Sequence, residues 1–169
     1  HAIESGCRRL VLGLGGSCTN DGGAGMAAAL GAVFRDADGR AFVPVGGTLA
    51  AIAACDASAV AARLAGIEVV AMCDVDLPMH GPRGAACVFA PQKGASEADV
   101  RLLDDGLRHL DGVLRRMSGV SVAEVPGAGA AGAMGAGVIA FLGGRLQRGI
   151  DTVLDAVDFD RHLEGADLV

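Results

Sequence analysis

Three groups of residues in this 169-residue chain have types and spacings that could do chemistry. The first is the run Gly15-Gly16-Ser17-Cys18-Thr19-Asn20-Asp21-Gly22-Gly23. Glycines let a ligand approach the backbone, whose N–H groups can bind an anion. Ser17, Thr19 and Asn20 add neutral donors, and Asp21 adds a carboxylate that can orient a hydroxyl or take its proton. A helix beginning at Gly23 would add an N-terminus that favours negative charge. The same residues equally suit a turn that bonds only to itself. The second group, Asp74 and Asp76, stands two residues apart after an apolar run. That pair could hold Mg²⁺, which takes one or two carboxylates plus phosphate oxygens, or it could cap a turn before Pro78. The third is Lys93, the one lysine beside 13 arginines. A lone lysine suits a compact point charge on phosphate or carboxylate, and it also suits a chance surface position.

Other motifs carry less. A P-loop ending in Gly-Lys-Ser/Thr is absent, since Lys93 is followed by Gly94 and Ala95. The dinucleotide pattern G-x-G-x-x-G occurs at Gly127, Gly129 and Gly132. With 27 glycines in the chain, one such match is expected by chance about 0.7 times. It supports an alternative reading as an NAD(P)-binding oxidoreductase fragment. His80, His109 and His162 are not at metal-ligand spacing, and His109 reads as structural. Cys7, Cys18, Cys55, Cys73 and Cys87 form no C-x-x-C pair, so they read as buried free thiols of a reducing, cytoplasmic setting.

Composition narrows the class. The net charge is −6, with no Trp or Tyr and five Phe, which argues against nucleic acid as a partner. No run approaches 18 apolar residues, so no membrane helix is expected, and the first ten residues do not read as a signal peptide. Alanine and glycine together make about a third of the chain, without a collagen period.

The elements that must position these groups alternate between strand and helix. Leu10–Leu12 and Ile67–Cys73 read as buried strands. Ala32–Val43, with Asp36-Ala37-Asp38-Gly39 at its centre, reads as a hairpin. Met26–Leu30, Thr48–Ala53, Gly84–Phe89, Ile139–Leu142 and Ile150–Val157 read as helices or helical turns. Ser96 with Asp99 makes a capping box for the clearest helix, which ends near Met117 before Gly119. Val120–Val125 reads as a brief strand and Gly127–Gly137 as a second loop. His1–Arg9 reads as the second half of a helix, and Gly165–Val169 as a strand beginning, so a fragment of a longer protein is expected.

Three stretches together resemble one family, the ATP-dependent glycerate kinases of the glycerate 2-kinase type. They are Val11 to Met26 (VLGLGGSCTNDGGAGM), Cys73 to Ala95 (with CDVD, GPRGAA and FAPQKGA), and Pro126 to Gly132 (PGAGAAG). The resemblance covers essentially the whole chain. It implies an α/β fold, with residues 1–169 as the mixed α+β second domain of a two-domain kinase whose Rossmann-like partner domain lies largely outside them. It implies transfer of the γ-phosphoryl group of ATP to D-glycerate, giving 2-phosphoglycerate, with the fragment alone inactive. Carried over by residue, it implies that Gly15, Gly16, Ser17, Thr19, Asn20, Gly22 and Gly23 bind substrate or phosphate, and that Asp21 orients the attacking hydroxyl. Lys93 would offset phosphate charge, and Asp74 and Asp76 would sit near Mg²⁺. It implies a small-molecule substrate, no nucleic-acid or membrane partner, and leaves room for a homodimer. Cys18 departs from the usual Ala, Leu77 from the usual Asn, and His80 from a common apolar residue. A non-catalytic, degenerate copy of the kinase domain is the third reading.

Overall fold

The structure is a computed structural model that describes residues 1–168. Its central strand is β5 (Glu68–Met72), whose Val69, Val70 and Ala71 are buried. A strand covered on both faces must be apolar along its length, and this one is flanked by parallel neighbours. On one side it pairs with β1 (Arg9–Gly13), from Arg9 opposite Glu68 to Gly13 opposite Met72. On the other it pairs with β6 (Arg145–Gln147), from Val70 opposite Arg145 to Met72 opposite Gln147. All three strands therefore end at one level. The next residues extend the ladder, with Leu14 N–H donating to Met72 O (3.1 Å) and Cys73 N–H to Gln147 O (2.9 Å). The loops that follow these strands emerge along a single sheet edge, the edge where open α/β sheets bind ligands.

A second, antiparallel sheet has the order β3-β2-β4, from Ala41–Phe42, Val33–Arg35 and Ala54–Asp56. Its hairpin turns at Asp36–Arg40, as the Asp-Gly signal predicts. Gly39 is at φ 80°, and Asp36 Oδ1 accepts the N–H groups of Asp38 and Arg40. Helix α1 is Ala24–Ala29, α2 is Ser58–Arg63 and α3 is Ala85–Phe89. Short 3₁₀ turns occupy Gly46–Ala51 and Pro91–Lys93.

The long helix α4 (Glu97–Ser118) starts at the expected capping box and stops at Gly119, in the left-handed region at φ 75°. Ser96 N–H and Oγ both donate to the Asp99 carboxylate, which holds that carboxyl below its usual range. The buried face of α4 carries Leu107, Leu110, Val113 and Leu114. It also carries Asp104, which accepts from Gly81 N–H at 2.6 Å and from Arg108 at 3.0 Å. Asp104 thereby anchors the 78–84 loop, and His109 Nε2 lies 2.6 Å from Ile52 O, in the structural role expected of it.

Helix α5 (Ala130–Leu142) is the other central element, apolar all round and largely buried. Its small residues permit backbone-to-backbone contact. A Cβ on Gly137 would lie 2.4 Å from Gly22 O, and one on Gly135 2.2 Å from Gly127 O. Phe141 closes the core edge-to-face on Phe34, with centroids 5.9 Å apart. Helices α6 (Gly149–Ala156) and α7 (Phe159–Leu163) complete the described residues.

The mixed α/β class matches the sequence reading, but several local expectations do not survive. Val120–Val125 is not a strand. Ser118 Oγ accepts from Val120 N–H and Ser121 Oγ from Ala123 N–H, so side chains take up the backbone groups a ladder needs. The expected loop Gly127–Gly137 holds only in its first part: residues 127–129 are turn and Ala131–Ala133 are left-handed, but from Met134 the chain is right-handed helix, because burial of a small-residue face outweighs the poor helix propensity of glycine. The expected helix over His1–Arg9 is absent: residues 2–6 form turns, with Gly6 at φ 78°, and Arg9 already belongs to β1. Residues 165–168 contain no strand, and Val169 lies outside the described residues. Strands β4 and β6 and helices α2 and α7 were not expected. Of the five free cysteines, only Cys73 is buried, and Cys18 is exposed.

Candidate functional site

Each strand of the parallel sheet delivers one loop to the site. The β1 loop carries residues 15–23, the β5 loop carries Asp74, and β6 leads into α6, whose first residue Gly149 holds Asp74. Asp21 sets the local shape of the first loop. Its two carboxylate oxygens accept from Gly23 N–H and Gly25 N–H, each at 3.0 Å, and so cap the start of α1. Gly22 and Gly23, at φ 62° and 78°, are buried in that turn. Gly22 N–H donates to Gly132 O at 3.0 Å, so the N–H groups of both glycines are already engaged within the protein.

Lys93 is brought to this loop from the turn between α3 and α4. Its ammonium donates to Thr19 O at 2.7 Å and to Ser17 Oγ at 3.0 Å. Partial burial pulls the Lys93 pKa below the usual lysine range, and the nearby Cys18 thiol opposes that shift. A lysine ammonium has three protons, and two are committed here.

Lys93 stands at the junction of two cavities. The larger, about 550 Å³, is lined by Thr19, Asn20, Asp21 and Cys18 with an apolar wall that includes Val45 and Leu102. The smaller, about 220 Å³, is lined by Gly15, Gly16, Ser17, Asp74, Ala130 and Ala131. The structure thus gathers Gly15, Gly16, Ser17, Thr19, Asn20, Asp21, Asp74 and Lys93 around one junction. Asp76 sits elsewhere, in a separate hollow with Cys73, Pro126 and Arg148. Asp74 Oδ1 accepts from Gly149 N–H at 2.8 Å, tying the end of β5 to the start of α6. Among the described residues, no group of three or more His, Cys, Asp and Glu is placed to hold a metal ion.

Asn20 is 8% exposed, and neither its Oδ1 nor its Nδ2 has a partner. An unpaired buried amide costs about 1–3 kcal/mol, so it marks a place where something else belongs. Gly132 packs directly against it. A Cβ there would meet Thr19 O at 2.0 Å and Asn20 Cα at 2.7 Å.

The Gly127–Gly132 motif is therefore spent on protein contacts. Gly129 lies under Pro78 O, with room for no side chain (2.2 Å), and no strand precedes the motif. Both facts remove the basis for the dinucleotide reading. The turn has another oddity. Ala131, Gly132 and Ala133 are left-handed in succession, and each left-handed alanine costs roughly 1–2 kcal/mol.

The model of the glycerate kinase family matches residues 1–169. The chain belongs to the glycerate kinase family. It is 51% identical over 169 residues to a glycerate kinase of Bacillus cereus, covering all of this chain and 44% of that protein. It is 45% identical over 169 residues to the glycerate 2-kinase of Escherichia coli, again covering 44% of the relative. A crystal structure from Salmonella typhimurium LT2, of a protein assigned as glycerate kinase 2, superposes with a TM-score of 0.94 at 43% identity. That match covers all of this chain and 45% of the other. The chain spans less than half the length of the curated relatives it matches. Family membership agrees with the resemblance carried by the three motif stretches and leaves no support for an oxidoreductase. No helix among the described residues is long and apolar enough to cross a membrane.

Asp104 and the left-handed turn at 131–133 escaped the sequence reading. Asp104 had a signal, a carboxylate on the apolar stripe of α4. The left-handed turn had none, because alanine does not advertise that backbone.

Proposed function

We propose that this chain supplies the acid- and phosphoryl-binding side of an enzyme that transfers the γ-phosphoryl group of ATP to D-glycerate, giving 2-phosphoglycerate. The observation that carries the reading is Lys93 gripping the 15–21 loop between two cavities in a member of the glycerate kinase family. Phosphoryl transfer asks mainly for positioning and charge stabilisation, and a cation on a glycine-rich loop provides both. Gly15, Gly16, Ser17, Thr19 and Asn20 bind the carboxylate or the transferred group. Each Asp21 oxygen, already holding one N–H, keeps a further lone pair for the attacking hydroxyl. The third proton of Lys93 serves the phosphoryl oxygens.

Mg²⁺ is part of this reading. An ion held partly by nucleotide phosphates needs only one or two carboxylates, and Asp74, in the smaller cavity, fits that need. Asp76, in its separate hollow, would serve only through the loop it shares with Asp74. When bound, the ion would neutralise phosphate charge. The relatives are more than twice as long, which supports a second domain that completes the cleft. The same reading places the protein in the cytoplasm, and light scattering will read whether it is a homodimer.

³¹P NMR tests the proposal on the longer gene product with ATP, Mg²⁺ and D-glycerate, with the 169-residue chain as control. A phosphomonoester from the longer protein and none from the chain alone is the expected result, and the chemical shift identifies the 2-product. Folded longer protein that yields no phosphoester would refute it.

A further inference from the structure

Phosphoryl transfer leaves Cys18 without a role, although it lies in the middle of the segment that Lys93 grips. The Lys93 ammonium donates to the residues on either side of it, to Ser17 Oγ at 3.0 Å and to Thr19 O at 2.7 Å. Lys93 is also the one cation lining the larger cavity, which Cys18 lines with it. The two carboxylates of that cavity, Asp21 and Asp99, are each taken up by donors of their own turns, Gly23 and Gly25 for the first and Ser96 for the second. Of the five thiols only Cys18 is exposed. Burial pushes the thiols of Cys73 and Cys87 up, and that of Cys55 up to about 11, which makes these three poor nucleophiles. Cys7 is partly covered.

A second feature marks the same cavity as a place for a polar guest. Asn20 lines it beside Cys18, is 8% exposed, and has no partner for either end of its carboxamide. At about 550 Å³, the cavity has room for a thiol of roughly tripeptide size. Its apolar wall at Val45 and Leu102 suits the methylene and sulfur end of such a molecule.

We propose that Cys18 is a thiol–disulfide exchange site for small acidic disulfides, whose adduct closes the larger cavity. The Cys18 thiol gives its proton to solvent, and the thiolate sulfur attacks one sulfur of R–S–S–R. The Cys18–S–S–R bond forms, the original S–S bond breaks, and RS⁻ leaves. One disulfide replaces another, so no further oxidant is needed, and excess thiol reverses the step. Lys93 sets the preference for acid, since its third proton meets a carboxylate of R, and the Asn20 carboxamide meets an amide of R. The adduct needs only this geometry. Loss of turnover rests on the kinase reading, because the adduct then occupies donors meant for the phosphoryl group.

The longer gene product, treated with oxidised glutathione and separately with cystamine, tests the site. Non-reducing peptide mapping should find the first adduct at Cys18, and dithiothreitol should remove it. The glutathione-to-cystamine rate ratio at Cys18 should fall at least about threefold in Lys93→Met and stay within about twofold in Lys93→Arg. A loosened loop would change both rates alike and cancel in that ratio. Amide signals of Asn20, Gly47 and Leu102, which line the cavity, should move in the ¹⁵N spectrum of the adduct. Turnover should fall in step with occupancy of Cys18, and Cys18→Ala should lose none of its own untreated rate. First adduct at Cys7, or an unchanged rate ratio in Lys93→Met, would overturn the exchange site. Full occupancy of Cys18 with those amide signals unmoved would overturn the closure. Adduct and amide shifts on a longer protein inert toward glycerate would keep this inference and sink the kinase reading. Turnover undiminished by a complete Cys18 adduct would do the reverse.

Discussion

The ammonium of Lys93 lies 2.7 Å from the carbonyl oxygen of Thr19, a residue 74 positions earlier in the chain. One flexible side chain thus sets the distance between the β1 loop and the segment that leads into α4. Lys93→Met in the longer enzyme should lower kcat/KM by roughly a hundredfold or more, the scale of losing a charge aimed at the transferring group. Lys93→Arg should not restore it, since a planar fork cannot reproduce a point charge on these two acceptors. Steady-state kinetics of both variants checks this.

Burial lowers the Lys93 pKa, and the sign of the consequence follows. Between the lowered folded value and the ordinary lysine value, the unfolded chain binds the extra proton. Stability contributed by this group therefore rises with pH in that alkaline window. Oxyanion binding needs the cation and should weaken over the same window, well before a free lysine would titrate. Phosphate affinity measured from pH 7 to 10 should fall for the parent and stay flatter for Lys93→Arg.

Asp21 caps α1 with both oxygens, so Asp21→Ala should destabilise the chain by about 1–2 kcal/mol in urea unfolding. Asp21→Asn keeps one acceptor and should cost less. Its effect on turnover in the longer enzyme separates the cap from chemistry: activity within about threefold of the parent would remove Asp21 from catalysis.

Two left-handed glycines make a matched pair. Gly132→Ala drives a Cβ to 2.0 Å from Thr19 O, whereas Gly143, at φ 61°, has nothing within 4 Å. The first change should cost about 3–5 kcal/mol and the second about 1–2, read from urea midpoints at constant m.

Thiol titration should follow exposure. Cys18 should react first with an aromatic disulfide at pH 8. Cys55 should lag, because burial and the Asp56 charge push its thiol up to about 11. Cys73 is buried with its thiol donating to Val75 O, and it should react last.

Where the signal was local, the sequence was readable. The Ser96 capping box, the Asp36–Gly39 hairpin and the apolar Ile67–Cys73 run each announce their element through residues within one turn of it. The grouping of Lys93 with Ser17 and Thr19 was not local, and only the family motifs put them on one list. Asp74 and Asp76 show the limit of spacing arguments. Two residues apart along an irregular loop does not fix a shared direction, and these two end in different hollows. The later part of Gly127–Gly137, from Met134 on, misled because small residues mean loop when exposed and close helix packing when buried, and composition does not state burial.

Lys93 is also the one side-chain amine in the chain. Reductive methylation with isotopic formaldehyde would therefore place a single spectroscopic label between the two cavities, with the chain's α-amine as the only other signal. A chain with a single lysine carries its own reporter, already seated between the two cavities.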